Sequence, residues 1–189
     1  MANEIRTKTH ANGITFADHA GDFAPAAGTS FELGTPTDVQ LALANIANGS
    51  ARQSAKVDLG ATRATRYSVE ASLEFFSAPT VGNVVEIYWS PSPSATAGNA
   101  NPGGCSGTDS AYTGDGGGTV AETVRQLQLV GFFVCTDLIG VQEATVNSEF
   151  RPQHRYGSLV VVNNSGVALA ATDDVETHIV FAPIVDEIQ

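Results

Sequence analysis

The chain is short of charge. Asp, Glu, Lys and Arg make up 15% of its 189 residues, against about 25% in an average globular domain. Basic residues are the scarcest: nine Lys and Arg stand against twenty Asp and Glu, a formal net charge of −11. A surface of that sign repels phosphate backbones and argues against a nucleic-acid grip. It serves solubility, or fits a partner with a basic face. The acidic residues are spread along the chain and form no acidic tail. Cysteine is limited to Cys105 and Cys135. They have no metal-ligand spacing, and read as two idle thiols in a reducing compartment or one disulfide. No window reaches the roughly 18 consecutive apolar residues of a membrane helix. The polar opening Met1–His10 has no apolar signal core, so synthesis in the cytosol is expected, with no membrane partner.

Catalytic signatures are missing as well. The chain has no G-x-S-x-G elbow, no G-x-x-x-x-G-K-[ST] loop and no H-E-x-x-H. Gly114-Asp-Gly-Gly-Gly118 has glycine enough for a phosphate cradle, but no Lys follows and no strand-to-helix context surrounds it. The four histidines (His10, His19, His154 and His178) are too dispersed to suggest a metal site. Asp109, Asp115, Asp173 and Asp174 lack EF-hand spacing, and an Asp pair opening a strand has a capping role of its own. Glu70, Glu74 and Glu86 are placed on adjacent strands, where a solvated outer face accounts for them; glycosidase carboxylates are defined by a separation in space, not in sequence. No enzyme activity, cofactor or metal is expected.

Strand patterns fill the gap. Arg66–Phe75 alternates for ten residues, with Tyr67, Val69, Ala71, Leu73 and Phe75 on one face and Arg66, Ser68, Glu70, Ser72 and Glu74 on the other. A period of two marks a strand with one buried face. Asn83–Ser90 follows across Ala78-Pro-Thr-Val-Gly82 as its expected antiparallel partner. Leu127–Thr136 is apolar on both phases, as a central strand covered on each side would be. Thr29–Leu33, Val39–Ile46, Ala55–Leu59, Ala144–Phe150, Leu159–Asn163 and Thr172–Val185 add more, with a turn at Asn163-Asn-Ser-Gly166. The spacing predicts an all-β fold: an antiparallel, jelly-roll-like sandwich of roughly eight to ten strands. Thr119–Leu127 fits a short helix or a strand entry, and the β-like residues after it favour the strand.

Two stretches lack a pattern. Residues 91–118, rich in Gly, Ser and Pro, read as one long exposed loop inserted between core strands of a single domain over 26–189. Residues 1–25 read as an extended arm, whose removal is expected to weaken assembly more than folding. Two aromatic residues are candidate interface anchors. Phe76 breaks the phase of its strand, and Trp89, the sole tryptophan, ends the next strand beside the loop. Coverage of the second face at that end is the simpler account of both.

Lys56-Val-Asp-Leu-Gly60, Glu86-Ile-Tyr-Trp-Ser-Pro-Ser92, Ser106-Gly-Thr-Asp-Ser-Ala-Tyr112, Gln126–Cys135, Arg155-Tyr-Gly-Ser-Leu-Val-Val161 and Asp174–Ile184 cover most of the chain from about residue 55 onward. In these segments the chain resembles small virion structural proteins of tailed bacteriophages. The resemblance implies a capsid decoration, cement-like or minor coat protein located in the virion. Its partners would be the major capsid protein or other virion proteins, and it would form a homo-oligomer, a trimer by the role. It implies no site residue. A tail or head-fibre adhesion module that binds host-surface carbohydrate through the 91–118 loop and its aromatics is the alternative. A polysaccharide depolymerase on the same fold is a third reading, for which no glutamate is singled out.

Overall fold

The computed structural model describes residues 5–9, 13–19, 36–171 and 177–188. Twelve strands build two sheets: β1 Ile5–Thr9, β2 Ile14–Ala17, β3 Thr37–Gln40, β4 Ala51–Gln53, β5 Val57–Asp58, β6 Arg66–Phe75, β7 Val84–Ser92, β8 Ser110–Ala111, β9 Gln128–Val134, β10 Gly140–Phe150, β11 Tyr156–Asn164 and β12 His178–Ile188. The first sheet runs β10-β6-β12-β2-β3, with β1 on β12. The second runs β8-β4-β11-β7-β9, with β5 on β11. Four antiparallel pairs are nested about the middle of the chain: β2 with β12, β4 with β11, β6 with β10, and β7 with β9. Successive pairs alternate between the sheets, so the chain wraps around one core. The expected all-β sandwich is what the strands form.

Alternation decides which side chains fill that core. On β6, Tyr67, Val69, Ala71, Leu73 and Phe75 are buried. They face Val85, Ile87 and Trp89 of β7 and Leu159 and Val161 of β11, with Ile179 and Phe181 of β12 beside them in their own sheet. Phe181 is the aromatic hub. The rings of Phe16, Phe150, Tyr67 and Trp89 lie 5.2, 5.5, 5.9 and 5.9 Å from it, in tilted and edge-on arrangements that suit ring quadrupoles. The Trp89 indole fits only because residue 157 is glycine; a Cβ there would stand 2.2 Å from the ring.

Several expectations need correction. β6 and β7 are not a hairpin: they belong to opposite sheets, and residues 76–83 arch between them. Pro79 and Gly82 suit an arch as well as a hairpin, and both strands direct their odd-numbered residues into the core. β9 is an edge strand of its sheet, not a central one. The strand expected over Val39–Ile46 is only β3, and Thr119–Leu127 folds as α1, Val120–Thr123, followed by a 3-10 turn, Val124–Gln126. A capping box starts that helix: Thr119 Oγ1 accepts from Glu122 N, and Thr119 N donates to Glu122 Oε2 at 2.9 Å. The expected strand at Thr29–Leu33 lies outside the described residues.

The expected arm is sheet where it is described. β1 extends β12, and β2 sits between β12 and β3 with Ile14, Phe16 and Ala17 buried. Removing residues 1–25 therefore removes core packing, a cost to folding that the reading as an arm left out. β2 is only four residues long, too short for periodicity to reveal it.

Residues 91–118 are not a bare loop either. They carry the end of β7, a 3-10 turn at Pro102–Gly104, and β8 paired on β4. Cys105 and Tyr112 pack with Val124 and Leu127 against Ala51, Val160 and Val162, making a second apolar cluster on the outer face of the β11 sheet. Tyr112 Oη donates to Gly103 O at 2.6 Å, and a Cβ on Gly103 would collide with Leu127. Lys56 pins the outermost part. Its Nζ donates to Ser92 Oγ at 3.0 Å and to the carbonyls of Ser94, Thr96 and Asn99 at 3.1, 2.8 and 3.0 Å.

Candidate interaction surface

The two aromatic candidates separate completely. Trp89 is 0% exposed, in phase with Val85 and Ile87, so it is a core residue and not a surface anchor. Phe76 is 74% exposed, just past the end of β6. Its neighbours are fixed by the strand register. Gly140 pairs with Phe75, which sets Ile139 beside Phe76, and Gly82 N donates to Cys135 O, which sets the 80–82 turn against the 135–139 turn. Phe76, Val81, Val134, Leu138 and Ile139 thus share one end of the sandwich, and each is more than half exposed.

That end is held rigidly. Buried Gln142 accepts from Thr136 N at 2.9 Å and donates to the carbonyls of Thr136 and Leu138 at 3.3 and 2.8 Å. On the other turn, Thr80 N donates to Ser165 O and Phe76 N to Ala168 O. An open depression of about 570 Å³, lined among others by Phe133, Val134 and Leu138, lies beside the turn. Apolar side chains fixed in place and left in water mark an interaction surface more often than they mark chance. From the tip the apolar strip continues along the outer face of β9 through Phe132 and Leu129. Among the described residues, every large apolar side chain exposed to solvent belongs to this tip or this strip. β9 reads as apolar on both phases because one phase fills the core and the other is this surface.

Between that strip and α1 runs a smaller groove. Glu86 and Tyr88 of β7 form its floor, flanked by Val124, Arg125 and Asn164, and it encloses about 290 Å³. Tyr88 Oη donates to Glu86 Oε2 at 2.6 Å, and Asn164 Nδ2 donates to Oε1 at 3.2 Å. Burial raises the Tyr88 pKa and the bond to Glu86 raises it further, so the phenol stays a donor.

The remaining polar candidates have structural work. Glu86 lies on the opposite sheet from Glu70 and Glu74. Glu70 accepts from Ser68 and Thr145, both at 2.6 Å. Asp109 takes Arg52 in a two-point ion pair at 2.7 and 2.8 Å; Asp115 is exposed on the 91–118 segment. Asp173, Asp174 and His10 lie outside the described residues. Among the described residues no three His, Cys, Asp or Glu gather as a metal site. His154 is exposed, whereas His178 is buried on β12. Cys105 and Cys135 are free thiols in separate apolar clusters, and burial pushes both up to about 11. Sequence reading missed Gln142, Lys56 and Asn163, whose hydrogen bonds leave no periodic trace: Lys56 reaches Ser92 and Asn163 reaches Ile46 far along the chain, and Gln142 ties its own turn through Thr136 and Leu138. It also missed the exposed phase of β9, which its doubly apolar pattern did signal.

Comparison with protein-family models, with curated proteins and with solved structures finds no match to this chain.

Proposed function

We propose that the chain is a non-catalytic structural component of a tailed-phage particle, a capsid decoration or minor coat protein. It docks on the major capsid protein or another virion protein through the apolar tip. The observation that carries this reading is the tip itself: Phe76, Val81, Val134, Leu138 and Ile139, exposed together on turns that Gln142 and the backbone hold fixed. An interface anchored by rigid apolar side chains spends little free energy on ordering when it forms. The nested strand pairs support the reading, since pairs alternating between two sheets are what a jelly roll, an architecture shared by viral capsid and lectin domains, would have. That support is analogy at the level of fold. A homo-oligomer, with three-fold closure where coat subunits meet, fits the same role.

The test is quantitative mass spectrometry of purified particles, with this chain's copy number read against the major coat protein. Copies in the hundreds are expected. A doubly substituted Leu138→Ser/Ile139→Ser chain, both positions exposed, is expected to fold normally and to be lost from the particle. Absence of the wild-type chain from particles, or full incorporation of the double variant, refutes the proposal.

A further inference from the structure

The groove beside β9 carries more chemistry than a packing defect needs. Glu86 and Tyr88 of β7 and Val162 and Asn164 of β11 line it, and two rows of cross-strand partners, Phe132 with Glu86 and Leu129 with Tyr88, run along its β9 side just outside that lining. In each row an exposed apolar side chain of β9 stands next to a polar one of β7. Both Glu86 oxygens are held, one by Tyr88 and one by Asn164. Each oxygen keeps acceptor capacity, and the Asn164 amide keeps a second N–H and its oxygen. Arg125 adds guanidinium donors on the α1 side. A fixed carboxylate and amide beside a half-exposed ring form a surface that is apolar on one side and hydrogen-bonding on the other.

We infer that this groove binds a neutral pyranose sugar at its β9 rim, with the exposed Phe132 ring beside Glu86 against the C–H face of the sugar and Glu86 and Asn164 on its hydroxyls. The match is one of shape and chemistry. A pyranose has an apolar face bounded by vicinal hydroxyls, and the groove, at about 290 Å³, is at the small end of ligand sites, which begin near 300 Å³. The central carboxylate and the net charge of −11 disfavour acidic sugars and phosphates. A strand-like peptide is disfavoured because the outer edge of β9 is occupied: Asn147 Nδ2 donates to Val130 O at 2.6 Å, and Gly131 lies against Val146. A metal ion would find a single carboxylate. The Tyr88–Glu86–Asn164 network is in place without a ligand, so binding need not assemble it. The inference stands apart from docking through the tip, because the two use different residues.

The experiment is saturation-transfer NMR on the full chain with D-glucose, D-galactose, D-mannose, N-acetyl-D-glucosamine and L-rhamnose, one at a time. Transfer to at least one of these sugars is expected, with affinity lowered about tenfold or more in Phe132→Ser and in Glu86→Gln. Phe76→Ser, at the tip, is expected to bind as wild type. Phe132 is half-exposed and its variant should fold; Glu86→Gln keeps the side-chain shape and gives the same answer should Phe132→Ser lose stability. Silence from the whole panel overturns the inference, and so does wild-type binding by both groove variants.

Discussion

Replacing Lys56 by methionine isolates what one ammonium does for a 27-residue excursion of the chain between β7 and α1, residues 93–119. Methionine keeps most of the stem, so the change falls on the head group. That head group has three N–H bonds directed among four acceptors at 2.8–3.1 Å. Hydrogen bonds from a charged group contribute about 1.5–3 kcal/mol each when the acceptor is out of water. Thr96 and Asn99 are exposed, and their carbonyls can take water instead; Ser92 is fully buried and Ser94 half-buried. About one full bond and part of a second are therefore lost, or about 2–3 kcal/mol. The loss should appear as local opening, because the Cys105–Tyr112 cluster holds the inner part of the segment independently. Native-state hydrogen exchange reads this directly. The amide of Asn99, bonded to Thr96 O, and those of Ser94 and Thr96 are expected to exchange roughly thirty-fold faster or more, while the Val160 amide in central β11 is unchanged. Lys56→Arg should fall between the two, since a planar guanidinium cannot point at four acceptors clustered around one nitrogen. Exchange at Ser94, Thr96 and Asn99 within threefold of wild type would show that the ammonium does not hold this loop.

Leu73→Ala removes a side chain that is 0% exposed in the middle of β6 and is expected to destabilise by about 2–5 kcal/mol in a urea titration; a shift within error would contradict the face assignment. Cys105 and Cys135 are expected to be inert to Ellman's reagent at pH 8 in the native protein and both reactive in denaturant, and a fast native reaction at either would contradict its burial. The same burial sets an alkaline limit. The folded thiols hold their protons up to about 11 against an ordinary value of 9.0, so the stabilisation is whole below pH 9 and drains away as pH rises from 9 to 11. Tyr67, pushed up to about 12 by burial from 10.0, extends that fall upward. Melts that stay flat from pH 8.5 to 11 would contradict it.

The legible part of the fold is the part written in side-chain alternation. β6 could be read residue by residue, since its polar and apolar faces differ at every position. Trp89 was legible on the same rule, in phase with Val85 and Ile87; proximity to the loop pointed the other way, and burial prevailed because Gly157 leaves room for the indole. β9 shows where alternation becomes ambiguous. A strand that is apolar on both phases has either two covered faces or one face awaiting a partner, and only sheet position tells them apart. The 91–118 segment was opaque because its order comes from isolated residues reaching far along the chain: Lys56 to the carbonyls of Ser94, Thr96 and Asn99, Arg52 to Asp109, Gln53 Oε1 to Ser106 N. The tip was half legible. Phe76 stood out by breaking phase, but its association with Ile139 depends on the β6–β10 register.

The position of β12 governs when this protein can exist at all. It is the latest strand in the described chain, yet it lies inside its sheet between β6 and β2, and it contributes Phe181 to the centre of the aromatic cluster. Until it leaves the ribosome, β6 has a bare edge, β2 has no antiparallel neighbour, and the rings of Phe16, Tyr67, Trp89 and Phe150 lack the residue they gather around. Nested pairs of such sequence separation close slowly. The nascent chain therefore leaves apolar surface uncovered until β12 emerges, and its survival depends on how quickly that late strand slots into the space between β6 and β2.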